Sequence, residues 1–201
     1  MASKLSRRQV LAALPAGFAL VAVPGAATAL NVAEARALID RAIGEVNGVI
    51  NSGTSEAAMF KSFEAIFVRY ADVRYIAQSA LGPAGRGASA SVMNAYVKAF
   101  QGYISRKYGR RFREFIGSTI VVTDARPLKS FYEVISVANM PGWAPFEVRW
   151  HVFDKSGKNL FFNIIIEGVN MLAAERTEIG AMLDRRRGDI AALTADLRKA
   201  G

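Results

Sequence analysis

Phe146-Glu147-Val148-Arg149-Trp150-His151-Val152-Phe153 is the stretch that decides the fold class. Phe146, Val148, Trp150 and Val152 alternate with Glu147, Arg149 and His151. That period of two gives a strand one buried face and one wet face, with His151 on the wet side. Three neighbouring runs, Thr119 to Thr123, Phe131 to Ala138 and Leu160 to Glu167, share its enrichment in β-branched and aromatic residues. Asp154-Lys155-Ser156-Gly157-Lys158 supplies a hairpin turn before the last of them. A parallel crossover needs a dozen residues or more, so these short connections predict an antiparallel sheet of about four strands. The fourth run keeps few polar positions on either side of Phe161, Phe162, Ile164, Ile165 and Ile166, so cover is expected on both of its faces.

Upstream, the apolar period changes to that of helices. Val32, Ala35, Ile39, Ala42, Val46 and Val49 recur at threes and fours behind Asn31 and Glu34, which have the spacing of a capping box. Ser55 caps a second helix with Met59, Phe60, Phe63, Ile66, Phe67 and Tyr70 inward, and Asp72 a short third one stopped by Leu81-Gly82-Pro83. From Ser89 a longer helix carries the row Val92, Tyr96, Phe100, Tyr103, continued through Ile104, Tyr108, Phe112 and Phe115. Arg106, Arg110 and Arg113 fall at i, i+4 and i+7 on another side of it, as a cationic stripe that is either a solvated face or a docking surface. Two closing helices follow, one from about Leu172 to Arg187 and one from Asp189. The class is therefore α+β, with helices, an antiparallel sheet and helices again.

The first 29 residues read as a signal peptide. Lys4, Arg7 and Arg8 form a cationic start, Leu11 to Val23 is apolar, and Ala27-Thr28-Ala29 offers small residues for cleavage. The apolar run is too short to cross a bilayer as a helix. Ser6-Arg7-Arg8-Gln9-Val10-Leu11 resembles a twin-arginine export motif, although the general secretory route also fits. Residues 30–201 then form one domain, and export to a bacterial periplasm is the expected destination.

Composition narrows the chemistry. The 201 residues include no cysteine and one histidine, which excludes disulfides, thiolate sites and any centre that needs two imidazoles. No phosphate-cradling glycine loop, dinucleotide fingerprint or nucleophile elbow is present. The formal net charge of +9 suits acidic partners, but no nucleic-acid recognition motif accompanies it. Glu167 is the one carboxylate embedded in an apolar run. It is either a buried general base or a strand-end acid bonded to backbone or to an arginine such as Arg176. Neither a metal nor a catalytic site is expected, and periodicity alone does not distinguish a solid core from a lined cavity.

Glu167-Gly168-Val169-Asn170-Met171-Leu172, followed by Arg176 and Ile179, resembles the "EGVS-hydrophobic…R…F" segment of the MlaC, or toluene-tolerance, family of periplasmic phospholipid-binding proteins. Phe100-Gln101-Gly102-Tyr103-Ile104 with Tyr108 is similar to that family's "F…L…Y" helix, and Leu81-Gly82 to its "LG" after the third helix. The order of elements agrees over the chain. Asn170 stands where the family has Ser, Leu160-Phe161-Phe162-Asn163 replaces a Trp-Lys-Val-x-Asp pattern, and a Trp soon after the "LG" is missing.

The resemblance implies a lipid carrier without catalysis or cofactor, whose cargo is phospholipid held by its tails in an apolar pocket between sheet and helices. It also implies two partners, an inner-membrane MCE-type ABC transporter complex and an outer-membrane lipoprotein complex, with no nucleic acid. A branch of the family is associated with hopanoids, and an enzyme of the cone-shaped α+β type built around Glu167 is the competing function. On this reading the candidate lining is Phe63, Phe67, Val97, Phe100, Ile104, Val134, Val148, Trp150, Phe162 and Ile164. The candidate docking residues are Arg106, Arg110, Arg113, Arg185, Arg186 and Arg187.

Overall fold

Side-chain caps set where the helices begin. In the computed structural model, which describes residues 30–201 apart from the side chains of residues 111–113, six α-helices and five strands are found. Helix α1 (Val32–Ile50) starts where Asn31 Oδ1 accepts the Glu34 N–H at 3.0 Å. Ser55 Oγ caps α2 (Glu56–Tyr70), Asp72 Oδ1 caps α3 (Val73–Leu81) and Ser89 Oγ caps α4 (Ala90–Gly109). Asn170 Oδ1 accepts from Ala173 N at 3.0 Å to begin α5 (Met171–Arg185), and Asp189 accepts from Ala191 and Ala192 to begin α6 (Ile190–Leu197). Each such cap is worth about 1 kcal/mol. Asn for Ser at position 170 thus keeps an N-capping oxygen, since both residue types serve that role.

Helix α4 ends sooner than its apolar period suggests. A Cβ on Gly109 would sit 2.6 Å from the Phe60 ring, so α2 crosses α4 where only glycine allows the approach. The chain then tightens into a 3-10 segment, Arg110–Phe115. Three residues per turn replace 3.6, so the spacing of the α-helix ends at Gly109.

The sheet is an antiparallel meander, β1 (Thr119–Pro127), β2 (Tyr132–Asn139), β3 (Phe146–Phe153), β4 (Leu160–Ile166) and a short β5 (Val169–Asn170), in that spatial order. Val134 pairs with Trp150, and Trp150 with Ile164, so these three share the inner face. α1 lies along β1 and β2, while α4 packs against α2, α3 and α6 and forms a further layer. Arg36 and Asn47 of α1 donate to the Val122 and Ile120 carbonyls at 3.0 and 3.2 Å, covering acceptors of the edge strand. The end of α2 is tied to the sheet where Asp72 N donates to the Phe161 carbonyl at 2.8 Å. One apolar core runs from Leu38 and Ile39 through Phe63 and Tyr70 to Trp150, Leu193 and Leu197. Among the described residues no helix is long and apolar enough to cross a membrane. The expected signal peptide lies outside the described residues.

Candidate functional site

The inner face of the sheet brings most of the candidate lining together. Val134, Val148 and Trp150 are buried there, Ile164 is half-buried beside them, and Phe63 and Phe67 approach from α2. Polar atoms within this face are satisfied: the Trp150 indole N–H donates to Ser136 Oγ at 2.9 Å, and that hydroxyl donates to the Val148 carbonyl at 3.0 Å. Val97, Phe100 and Ile104 join the same core from α4, one layer further out. Phe100 is wholly enclosed, with the rings of Tyr96 and Tyr103 tilted against it at 6.0 and 6.3 Å. In this conformation side chains occupy the interface between sheet and helices.

Phe162 lies apart from these residues. A bulge at His151/Val152 shifts the β3–β4 register, so Phe161 takes the inner position, against Phe67 at 6.3 Å and Trp150 at 5.4 Å. Phe162 turns to the outer face, where it meets Tyr75, Phe131, His151 and Phe153. Strict alternation could not reveal this, because the extra residue leaves no mark in the apolar pattern.

The outer face is also drier than expected at its centre. Register aligns Arg126, Glu133, His151 and Asn163 in one row across four strands. Glu133, buried, accepts from Arg126 at 2.5 and 2.9 Å and lies 3.4 Å from His151 Nε2. Phe131 covers the imidazole at 4.6 Å, leaving 12% of the side chain exposed, and burial depresses the His151 pKa although Glu133 opposes the shift. Asn163 Oδ1 accepts from Leu172 N, which carries the row to the start of α5.

Glu167 is an exposed turn residue. It and Gly168 have φ of 49° and 79° and link β4 to β5 as a tight two-residue hairpin loop. It is not buried, so the enzyme reading built on a buried acid at this position is removed. Among the described residues no group of three or more His, Asp or Glu side chains is placed to hold a metal ion.

A second polar cluster joins α4 to α5, and only the fold reveals it. Glu175, 3% exposed, accepts from Lys107 Nζ at 2.6 Å and from the Tyr108 hydroxyl, while Glu178 accepts from Tyr103 at 2.6 Å and from Lys107 at 2.5 Å. Burial, then the neighbouring carboxylates, pushes both tyrosine hydroxyls well above the usual phenol range.

The candidate docking arginines separate into different roles. Arg106 turns inward and donates to the Ala200 and Leu197 carbonyls at 2.9 and 2.6 Å, closing the end of α6. Its guanidinium is thus engaged by backbone within the chain. Arg186 holds Asp196 with two bonds of 2.5 and 2.7 Å. Arg110, Arg185 and Arg187 are exposed, and the Arg113 side chain lies outside the described residues.

Among the described residues, clefts open at two places on the surface that bear on the site. One of about 400 Å³ lies between α3, the Gly82–Gly87 3-10 turn, α4 and α5, lined by Tyr75, Gln78, Gly82, Arg86, Met93 and Arg176 among others. The other, about 280 Å³, lies at the sheet end beside Leu30, Leu128 and Phe153.

Comparison with known proteins agrees with this architecture. The chain superposes on the phospholipid-binding protein from Ralstonia solanacearum, solved in complex with a phospholipid, with a TM-score of 0.70 at 19% identity, over 82% of this chain and 95% of that one. The family model described as MlaC protein matches residues 40–199, so the chain belongs to the MlaC family.

Proposed function

We infer that this protein is a periplasmic phospholipid carrier, exported by its N-terminal leader and acting without catalysis. The reading is carried by membership of the MlaC family, supported by a fold shared with a protein solved with phospholipid bound. Physical chemistry gives the reason for a carrier. At about 0.8 kcal/mol per CH₂, a sixteen-carbon chain in water costs roughly 13 kcal/mol, so a lipid crosses an aqueous gap only with its tails covered.

The tails would lie between the inner face of the sheet and the helices, against Phe63, Phe67, Val134, Val148, Trp150, Phe161 and Ile164. Because those side chains fill the interface here, loading requires the helical layer to separate from the sheet. Partners that favour the open form, an inner-membrane MCE-type ABC complex and an outer-membrane lipoprotein complex, would then drive uptake and release. Arg110, Arg113, Arg185, Arg186 and Arg187 would be the docking residues for them, and Arg110, Arg185, Arg186 and Arg187 are exposed.

The test is solvent extraction of the purified protein followed by mass spectrometry. Stoichiometric phospholipid is expected. Protein that carries none from lipid-replete cells, and takes none up from vesicles, would end the carrier reading, whereas a polycyclic lipid in its place would redirect the cargo to hopanoids.

A further inference from the structure

We propose that the cleft between α3, the Gly82–Gly87 turn and α5 binds a phosphate-class anion through Arg86 and Arg176. This site is separate from the apolar interface assigned to lipid tails. Its lining (Tyr75, Gln78, Ser79, Gly82, Pro83, Gly85, Arg86, Met93 and Arg176) contains two cations and no carboxylate. Several arginines elsewhere are paired with acids, as Arg69 with Glu45, Arg126 with Glu133 and Arg186 with Asp196, while others, such as Arg110 and Arg187, stand singly on the surface. Among the described residues, Arg86 and Arg176 have no such partner.

The Arg176 guanidinium lies beside Gly82. Its Nη2, Nε and Cζ atoms are 3.5, 3.6 and 3.7 Å from where a Cβ on Gly82 would stand, so the bare backbone leaves room for the group at the cleft. A guanidinium's planar fork of N–H groups suits bidentate contact with phosphate oxygens. Gln78, Ser79 and Tyr75 add neutral hydrogen-bonding groups, while Met93 and Pro83 supply an apolar wall. A volume of about 400 Å³ accommodates a phosphate with a short organic substituent. The chemistry is shared by a lipid headgroup and by a free organophosphate, and chain length of the probe separates the two.

The experiment titrates the purified protein at low salt with inorganic phosphate, glycerol phosphate and monomeric dihexanoyl phosphatidylglycerol. Amide shifts of Gly82, Gly85 and Gly87 are followed by NMR. Saturable shifts confined to this cleft are expected, weakened at least about tenfold by Arg86→Gln or Arg176→Gln and unchanged by Arg110→Gln. Response to all three probes identifies a free-anion site, and response to the phosphatidylglycerol alone identifies a headgroup site. Shifts that survive both substitutions, spread over every exposed arginine or fail to appear at millimolar probe overturn the proposal. Thermal melts of each variant verify folding. Lipid content of the unaltered protein tests the carrier reading independently, so either may fail without the other.

Discussion

The guanidinium of Arg176 lies across Gly82, joining the end of α3 to the middle of α5. Both residues belong to segments that resemble the family's, and the fold brings them into contact. Gly82 has φ 66° and ψ −144°, a backbone conformation essentially closed to residues with a Cβ. Gly82→Ala is therefore expected to destabilise the protein by about 1–3 kcal/mol, through backbone strain. At roughly 2–4 °C per kcal/mol for a domain of this size, a thermal melt resolves the change. An unchanged melting temperature would show that the turn relaxes without strain.

Arg106 and Arg110 are neighbours in the cationic stripe suggested by spacing, yet they should behave oppositely. Arg106 satisfies two carbonyls at the end of α6, and hydrogen bonds from a charged group contribute about 1.5–3 kcal/mol. Arg106→Ala should lower stability by an amount in that range, whereas Arg110→Ala at an exposed position should stay within about 0.5 kcal/mol. Urea unfolding of the two variants decides it, and equal midpoints would remove the capping role of Arg106.

Helix starts were readable from sequence because a cap is a local event. Asn31, Ser55, Asp72, Ser89 and Asp189 each bond an N–H two or three residues ahead, and all are found capping. The strands were equally plain wherever alternation was unbroken, as in β3. What failed depended on distant residues. Gly109 yields to the Phe60 ring of another helix, Phe161 and Phe162 exchange faces through a bulge, and Arg106 finds carbonyls at the far end of the chain. Burial of Glu133 beside His151 is likewise a product of register, invisible until β1, β2 and β3 are aligned.

His151 should make stability depend on pH. Burial holds its folded pKa below the ordinary imidazole value, so the unfolded chain binds the proton more readily. The stabilising contribution is complete above about pH 6.5, the unfolded value, and is lost as the pH falls from there through the folded pKa. As the sole histidine, its imidazole signal is unambiguous in an NMR titration. His151→Gln should flatten the dependence of melting temperature on pH below about 6.5. An NMR titration centred at or above the ordinary value would contradict this assignment.

Glu175 gives a test of how α4 is held to α5. Its buried Oε1 receives both Lys107 and Tyr108, so Lys107→Met leaves the enclosed carboxylate without its cationic partner. Breaking a buried pair by removing one partner costs about 3–5 kcal/mol. Lys107 is itself partly accessible, with 28% of its side chain exposed, so the lower end of that range or less is expected. Replacing both together, Lys107→Met with Glu175→Gln, should recover most of the loss. A double variant no more stable than Lys107→Met alone would show that packing, and not charge, makes the contact.

Trp150 offers a direct view of the proposed cargo. Its indole donates to Ser136 and meets Phe161 edge-on at 5.4 Å, within the interface that lipid tails would have to open. Trp143, the only other tryptophan, is 71% exposed on the β2–β3 connection and contributes a solvent-like background. Trp143→Phe should leave folding intact and report Trp150 alone. Stripping lipid and then adding phospholipid vesicles is expected to shift that emission saturably, because the indole exchanges protein neighbours for hydrocarbon. The same experiment on Phe162→Leu should give the same shift, since that ring lies on the opposite face of the sheet, whereas Phe161→Leu should alter it. Equal responses from the two substitutions would place the cargo somewhere other than the inner face.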